Sequence, residues 1–201
     1  MFDFSQLTLT TPRLRLRPLR DADAPVVYAM HADPVTLRYW STPPWAEPTL
    51  ADELIARDLK ALAAGDYIRL ALERQRDGRL IGLCTLFAFY LPSRRCEIGY
   101  ILHRDTWGQG YMHEALLALL DYGFGVLDLN RVEADIDPRN AGSERTLQRL
   151  GFVKEGHVRE RWIVAGEVSD TGLYGLLRRD WLARAGSAGP AAATAAPPQR
   201  G

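Results

Sequence analysis

The sequence predicts a single mixed α/β domain with hairpins at both ends, and three observations lead there. Runs with apolar period two, the mark of half-buried strands, interleave with runs at helical spacing instead of segregating into blocks. At 201 residues the chain fits one domain and can bury most of its apolar surface without disulfide or metal staples. Its 47% hydrophobic and 25% charged residues are ordinary for a self-folding globular protein, so no unusual class competes.

Arg13-Leu14-Arg15-Leu16-Arg17 alternates with period two, and the following Pro18 predicts an edge strand. Asp21 can cap a short helix running to about His31. Thr49 with Asp52 forms an acidic capping box ahead of Leu50, Leu54, Ile55 and Leu62, which predicts a second helix. Residues 67–73 and 80–90 are apolar and of strand length, and Arg76-Asp77-Gly78 between them is a turn signature, so they predict an antiparallel pair. Pro92 and Ser93 turn the chain again before a strand over residues 96–103. A glycine-bearing loop follows, and Met112, Ala115, Leu116, Leu119 and Leu120 recur at helical spacing. Residues 131–136 predict a further strand, 143–150 a short helix, and 153–168 with 171–177 a closing pair of strands. From Gly186 the composition collapses to Gly, Ala, Pro, Ser and Thr with one Gln and one Arg, which predicts a domain over 1–185 and a disordered tail over 186–201. No internal repeat of solenoid length is present.

Composition narrows the partners. Twenty-five basic residues balance 25 acidic ones, so the broad positive surface of a duplex-binding protein is not expected. The longest apolar stretch, residues 80–91, is too short to span a bilayer and reads as a buried strand. The first 11 residues carry Asp3 and no basic region followed by an apolar run, which argues against a secretory signal and for a cytoplasmic location. Cys84 and Cys96 lack metal-ligand spacing and sit in strand-like runs, where buried small hydrophobes are expected and a metal site is not.

Trp107-Gly108-Gln109-Gly110-Tyr111-Met112 joins a predicted strand to an amphipathic helix. Free backbone N–H groups and the positive end of the helix then gather at one place, and glycines let a phosphate approach the backbone closely. A plain strand-to-helix turn would use the same residues, so the loop by itself leaves both readings open. Other phosphate motifs fail: position 113 is His where a dinucleotide fingerprint has its third Gly, and no Gly-Lys-Ser/Thr follows.

The order of motifs around this loop is more specific. Glu97-Ile98-Gly99-Tyr100, then the loop, then Asn130-Arg131-Val132-Glu133-Ala134, Asp137-Pro138, Asn140, Ser143, Leu150-Gly151-Phe152, and last Gly166 with Asp170 follow one another over residues 7–182. The series resembles the GNAT superfamily of N-acetyltransferases, and within it the RimJ/RimL-like branch of ribosomal-protein N-terminal acetyltransferases. The resemblance implies a central, mostly antiparallel mixed sheet flanked by helices and splayed between strands 4 and 5, with acetyl-CoA wedged in the opening. It implies that Trp107, Gly108, Gln109, Gly110, Tyr111 and Met112 bind the diphosphate. Ile101, Leu102 and His103 would pair with the pantetheine arm, with Asn140 and Ser143 as the polar pair beside it. Trp107 stands where many relatives have a cation. Met112 replaces a small residue and is expected to crowd the phosphates or shift the helix. Asn140 as a turn residue and Ser143 as a helix N-cap are the plainer readings of those two positions.

Acetyl transfer to an amine requires a neutral nucleophile, a polarised thioester carbonyl and stabilisation of the departing thiolate. A lysine amine near pKa ~10.4 costs about 4 to 5 kcal/mol to deprotonate at pH 7, an α-amine near ~7.8 only about 1. Glu97 matches the family's acidic base position, and a surface strand carboxylate is its competing reading. Backbone N–H groups near Leu102 could hold the carbonyl oxygen if the strand bulges there. Many relatives place a thiolate-protonating Tyr where this chain has Leu147, which shifts that role to Ser143 or a water. Glu160 and Asp170 are candidates to orient the acceptor amine, against paired surface charges among Arg159 and Arg161. His31, His113 and His157 receive no role. The expected function is acetylation of a protein N-terminal α-amine or a small-molecule amine, with a homodimer compatible with the resemblance. A catalytically weak acyl-CoA-binding sensor, motivated by Met112 and Leu147, and a nucleotide-binding protein are the alternatives.

Overall fold

A computed structural model describes residues 2–185 and 199–200. The strands are β1 (Phe2–Asp3), β2 (Leu9–Thr10), β3 (Leu14–Arg17), β4 (Ile68–Arg74), β5 (Arg79–Tyr90), β6 (Arg95–Leu102), β7 (Arg131–Ile136), β8 (Val153–Val164), β9 (Glu167–Leu177) and β10 (Gln199–Arg200). The helices are α1 (Ala24–Ala32), α2 (Thr49–Ala64), α3 (Tyr111–Gly125), α4 (Ala141–Leu150) and α5 (Arg178–Ala185). β1 and β10 pair with each other; the rest form one eight-stranded sheet in the order β2-β3-β4-β5-β6-β7-β9-β8. Every neighbouring pair is antiparallel except β6 and β7. That parallel step needs a crossover, and α3 supplies it.

The sheet is splayed at this step. β6 and β7 are in register only at Arg95↔Arg131, Cys96↔Val132 and Glu97↔Glu133. Past Glu97, β6 keeps its pairing with β5 as far as Leu102, while β7 keeps its pairing with β9 as far as Ile136. Each strand therefore follows its outer neighbour, and a wedge opens between the two halves.

Two cores cover the faces. On one, α3 packs Ala115, Leu116, Leu119 and Leu120 against β-strand residues such as Leu70, Leu72, Leu86 and Ile98. On the other, α1 and α2 bring Val27, Met30, Leu54 and Ile55 to Ala71, Leu83 and Ile101. Burying a leucine or isoleucine this fully contributes about 1.5–3 kcal/mol each, and the two strands of the wedge enter these cores through Ile98 and Ile101 of β6 and Val132 and Ala134 of β7.

Several local expectations change. β3 is not an edge: Leu9↔Leu16 and Thr10↔Arg15 cover it, and Pro18 lies just past its end. Asp21 opens a short 3-10 turn, and the helix begins at Ala24. α2 has Pro48 at its N-cap and no side-chain cap, so Thr49 and Asp52 form no capping box. The last hairpin turns at Ala165-Gly166, where both residues have positive φ, several residues earlier than the sequence suggested. α5 was not anticipated; Trp181 anchors it, buried, with Nε1 donating to Asp121 at 2.9 Å. Cys84 and Cys96 are free and fully buried, as the sequence predicted. The tail expected over 186–201 lies outside the described residues apart from Gln199–Arg200, which pairs with Phe2–Asp3.

Candidate active site

The loop from Trp107 to Met112 meets α3 at Gly110, which is its N-cap with φ 77°. A glycine N-cap has no side chain to accept from the first turn, and the first helical bond is Glu114 N–H to the Gly110 carbonyl at 3.1 Å. The N–H groups of Tyr111, Met112 and His113 precede that bond and are left for an outside acceptor at the positive end of a 15-residue helix. Gly108, at φ 73°, has open space where a Cβ would stand. Trp107 is half exposed, and its indole donates to the Leu102 carbonyl at 2.8 Å, so it ties the loop to the end of β6. Gln109 ties it again, Nε2 donating to the Asp105 carbonyl at 3.1 Å.

Met112 corrects an expectation. Its side chain is 7% exposed and packs into the core beneath α3, turned away from the loop's outer surface, so it does not crowd a phosphate. Leu147 is fully buried in the same core and cannot meet a sulfur atom in the wedge.

Arg13, the residue before β3, completes the loop, although nothing local marks it among the arginines that alternate there. Its guanidinium donates to the Gln109 carbonyl at 3.0 Å and to Glu114 at 2.5 Å, and it lies 4.5 Å from the centre of the Tyr111 ring.

The inner edge of β6 offers backbone groups without a strand partner. His103 N–H donates to the Ile81 carbonyl at 2.8 Å, which fixes the alternation: His103, Ile101 and Gly99 turn their backbone groups to β5, and Leu102 and Tyr100 turn theirs to the wedge. Ile101 and His103 are therefore committed to β5, contrary to expectation, and Ile101 also buries its side chain in the second core. The Leu102 carbonyl is taken by Trp107, which leaves its N–H free. No bulge is needed to expose it: the β5–β6 register is continuous through Leu102, and the divergence of β7 does the work. The His103 side chain bonds Asp105 at 2.6 Å on the surface.

Across the wedge stands the first turn of α4. Asn140 is the N-cap, accepting from Ser143 N–H at 3.0 Å, so the helix begins two residues before the predicted start and Ser143 is not its cap. That frees the Ser143 hydroxyl, which lies 2.7 Å from the hydroxyl of Tyr100 on β6. Burial pushes the Tyr100 phenol up to about 12, partly offset by Ser143. Tyr100 had been legible only as the last letter of Glu-Ile-Gly-Tyr.

Glu97 occupies the point where β6 and β7 part, opposite Glu133. Among the described residues no hydrogen bond or ion pair holds its carboxylate. Its pKa lies above the ordinary carboxylate value, first because of burial and then because Glu133 and Asp135 are nearby, with Arg161 and Arg95 opposing. Three residues from Tyr100, it points to the opposite face of the strand. Glu133 and Asp135 are neutralised by Arg95, Arg131 and Arg161, so Glu97 is the carboxylate here left available.

Glu160 and Asp170 sit on the closing hairpin. Both Asp170 oxygens are engaged, one by His157 Nε2 at 2.7 Å and one by Glu160 N–H at 2.8 Å, so Asp170 pairs with His157 and not with Arg159 or Arg161. It holds Glu160 at φ 51° in a register break of β8. The Glu160 side chain is exposed. Nearby, Glu167 accepts from Arg38 at 2.9 Å and Arg139 at 2.7 Å, tying the segment after α1 to the hairpin.

The model of the acetyltransferase (GNAT) domain matches residues 13–153 of this chain. The chain belongs to the GNAT acetyltransferase family. An N-acetyltransferase of Bacillus licheniformis, p20, is 34% identical over 174 residues, covering 87% of this chain and 98% of that one. The fold is shared with spermidine N-acetyltransferase from Vibrio cholerae, whose structure holds CoA and spermine (TM-score 0.75, 24% identity, 85% of this chain and 98% of that one). It is shared too with ribosomal-protein-S5-alanine acetyltransferase from Vibrio fischeri (TM-score 0.76, 21% identity, 87% and 98%). GNAT enzymes use acetyl-CoA, and this acetyltransferase offers what a diphosphate and an extended amide arm require: unclaimed N–H groups at a glycine-capped helix, and a free strand edge beside them. No helix among the described residues is long and apolar enough to cross a membrane, and among them no three or more His, Cys, Asp or Glu side chains gather as a metal site would need.

Proposed function

We propose that this acetyltransferase modifies the α-amine of a protein N-terminus, within the RimJ/RimL-like branch and in the cytoplasm, with small primary amines accepted by the same machinery. The observation that carries the reading is the unpartnered Glu97 carboxylate at the fork of β6 and β7. A carboxylate whose pKa is raised only by partial burial and like charge is a modest base, suited to an amine near ~7.8 and poorly suited to one near ~10.4. Its two neighbours Glu133 and Asp135 already have arginine partners, which leaves Glu97 to take the proton directly or through a water.

In this reading the Trp107-to-Met112 loop and the N-terminus of α3 bind the diphosphate. The backbone of Tyr100 and Leu102 lies along the pantetheine arm, and Leu102 N–H polarises the thioester oxygen. Asn140 holds α4 so that Ser143 faces the sulfur. Glu160, whose side chain is exposed, contacts the acceptor, and Asp170 fixes its place. The sensor alternative loses one motive because Met112 belongs to the core, and the other, Leu147 in place of a tyrosine, is met in this reading by the Ser143 hydroxyl. The test is incubation with labelled acetyl-CoA and a panel of peptides with free or blocked N-termini, polyamines and aminoglycosides. Label on free N-termini that blocked peptides do not take up is the expected result; label on polyamines alone overturns the α-amine reading.

A further inference from the structure

We infer that Tyr100 is a positioning residue for the departing thiolate, acting through the Ser143 hydroxyl. The inference rests on the reading that Ser143 faces the sulfur. Tyr100 and Ser143 stand on opposite walls of the wedge, one on β6 and one on α4, and their hydroxyls are 2.7 Å apart. A second acceptor, the Ser143 carbonyl, is 3.5 Å from the phenol and at the limit of bonding. Either hydroxyl can donate in this bond; in the inferred arrangement the phenol, the more acidic of the two, donates and Ser143 accepts. The serine's own proton is then left to point elsewhere, and an accepted bond strengthens the one it donates.

During transfer the amine nitrogen bonds to the acetyl carbon, the carbon–sulfur bond breaks, and its electron pair passes to sulfur. The surplus proton of the amine goes to Glu97. A phenol, ordinarily near ~10 and raised here by burial, holds its proton more tightly than a thiol near ~8.5, so Tyr100 serves the sulfur as a hydrogen-bond donor through Ser143 and not as its acid. Tyr100 and Ser143 together stabilise the thiolate by a chain of hydrogen bonds, and the thiolate takes its proton from solvent on release. Glu97, on the opposite face of β6, and Tyr100 thus serve the two ends of the reaction from one strand.

The test compares Tyr100→Phe, Ser143→Ala and the double variant by acetyl-CoA titration and by kcat with the best acceptor. Tyr100→Phe is expected to lower kcat roughly tenfold while leaving acetyl-CoA affinity unchanged, because the lost bond matters only as charge reaches sulfur. The double variant should be no slower than Ser143→Ala alone. Replacing Tyr100 by 3-fluorotyrosine keeps its shape and makes the phenol more acidic: kcat should hold near neutrality, and its fall on the alkaline side should move to lower pH. Full kcat in Tyr100→Phe, losses that multiply in the double variant, or an alkaline limb unmoved by fluorotyrosine each overturn the inference. Unchanged kcat in Ser143→Ala would instead overturn the reading of Ser143 on which it stands.

Discussion

The Arg13 guanidinium and the Glu114 carboxylate meet at 2.5 Å across the first turn of α3, joining the residue before β3 to the helix that the glycine loop opens. Glu114 also accepts from Thr11 at 2.6 Å and from the Arg13 backbone N–H at 2.8 Å. Burial raises the Glu114 carboxyl, but these bonds outweigh it and hold the pKa below the ordinary value. Arg13→Ala should therefore loosen the loop without touching the reacting atoms. We expect acetyl-CoA affinity to fall about fivefold, as for the loss of a partly exposed charged hydrogen bond, with kcat at saturation little changed. Titration calorimetry and saturation kinetics check the split; a fall in kcat alone would count against a binding role.

Gly110 is the second control point of the same loop. At φ 77° a β-branched residue is strained by about 1–3 kcal/mol, and its Cβ would come 3.5 Å from the Arg13 guanidinium. Gly110→Val should weaken acetyl-CoA binding about tenfold or more, read as a smaller ligand-induced rise in Tm. Gly125→Ala, at the far end of α3 with open space around its Cβ, should bind as the parent does. Equal affinity in both variants would mean that the loop is only a turn.

Glu97 supplies a prediction in stability as well as rate. Its pKa is raised in the folded state, by burial first, so its contribution to stability is present below the unfolded value near 4.5 and is lost as pH rises through the raised value. At pH 7 the carboxylate is thus a cost to the fold. Glu97→Gln should melt higher than the parent at pH 7, with the gain disappearing toward pH 4, while its rate is depressed most at low pH, where the amine is protonated. A lower Tm at pH 7 or a pH-independent rate loss would make Glu97 a structural residue.

The buried ion cluster under α1 tests the fold apart from the site. Arg17 holds Asp23 through two bonds at 2.7 and 2.9 Å and Glu73 through one at 2.6 Å, with Arg17 and Asp23 both buried. Asp23→Ala breaks the two-point pair and strips the Arg20 N–H of its acceptor. A loss of about 3 kcal/mol is expected, or about 6–12 °C in Tm for a domain of this size. The acetyl-CoA-induced rise in Tm should persist, since the cluster lies outside the wedge; its disappearance would show coupling between the two.

By itself the sequence determined most of the strands and helices, the glycine-capped loop and the resemblance to GNAT enzymes. These rest on period-two and helical spacing, on glycine conformation and on motif order, all of which are local or ordered along the chain. Only the tertiary structure decided which way side chains turn and what they meet. Met112 is expected from its position to crowd the phosphates because spacing names a position but not the face it presents, and packing sends it, like Leu147, into the core. Tyr100 meets Ser143 across 43 positions and Arg13 meets Glu114 across 101, because the splay of β6 from β7 and the return of β3 to α3 bring distant backbone together. The free edge of Tyr100 and Leu102 likewise exists because β7 follows β9 away from β6, a choice made by packing on the outer strands and written in no single stretch of sequence.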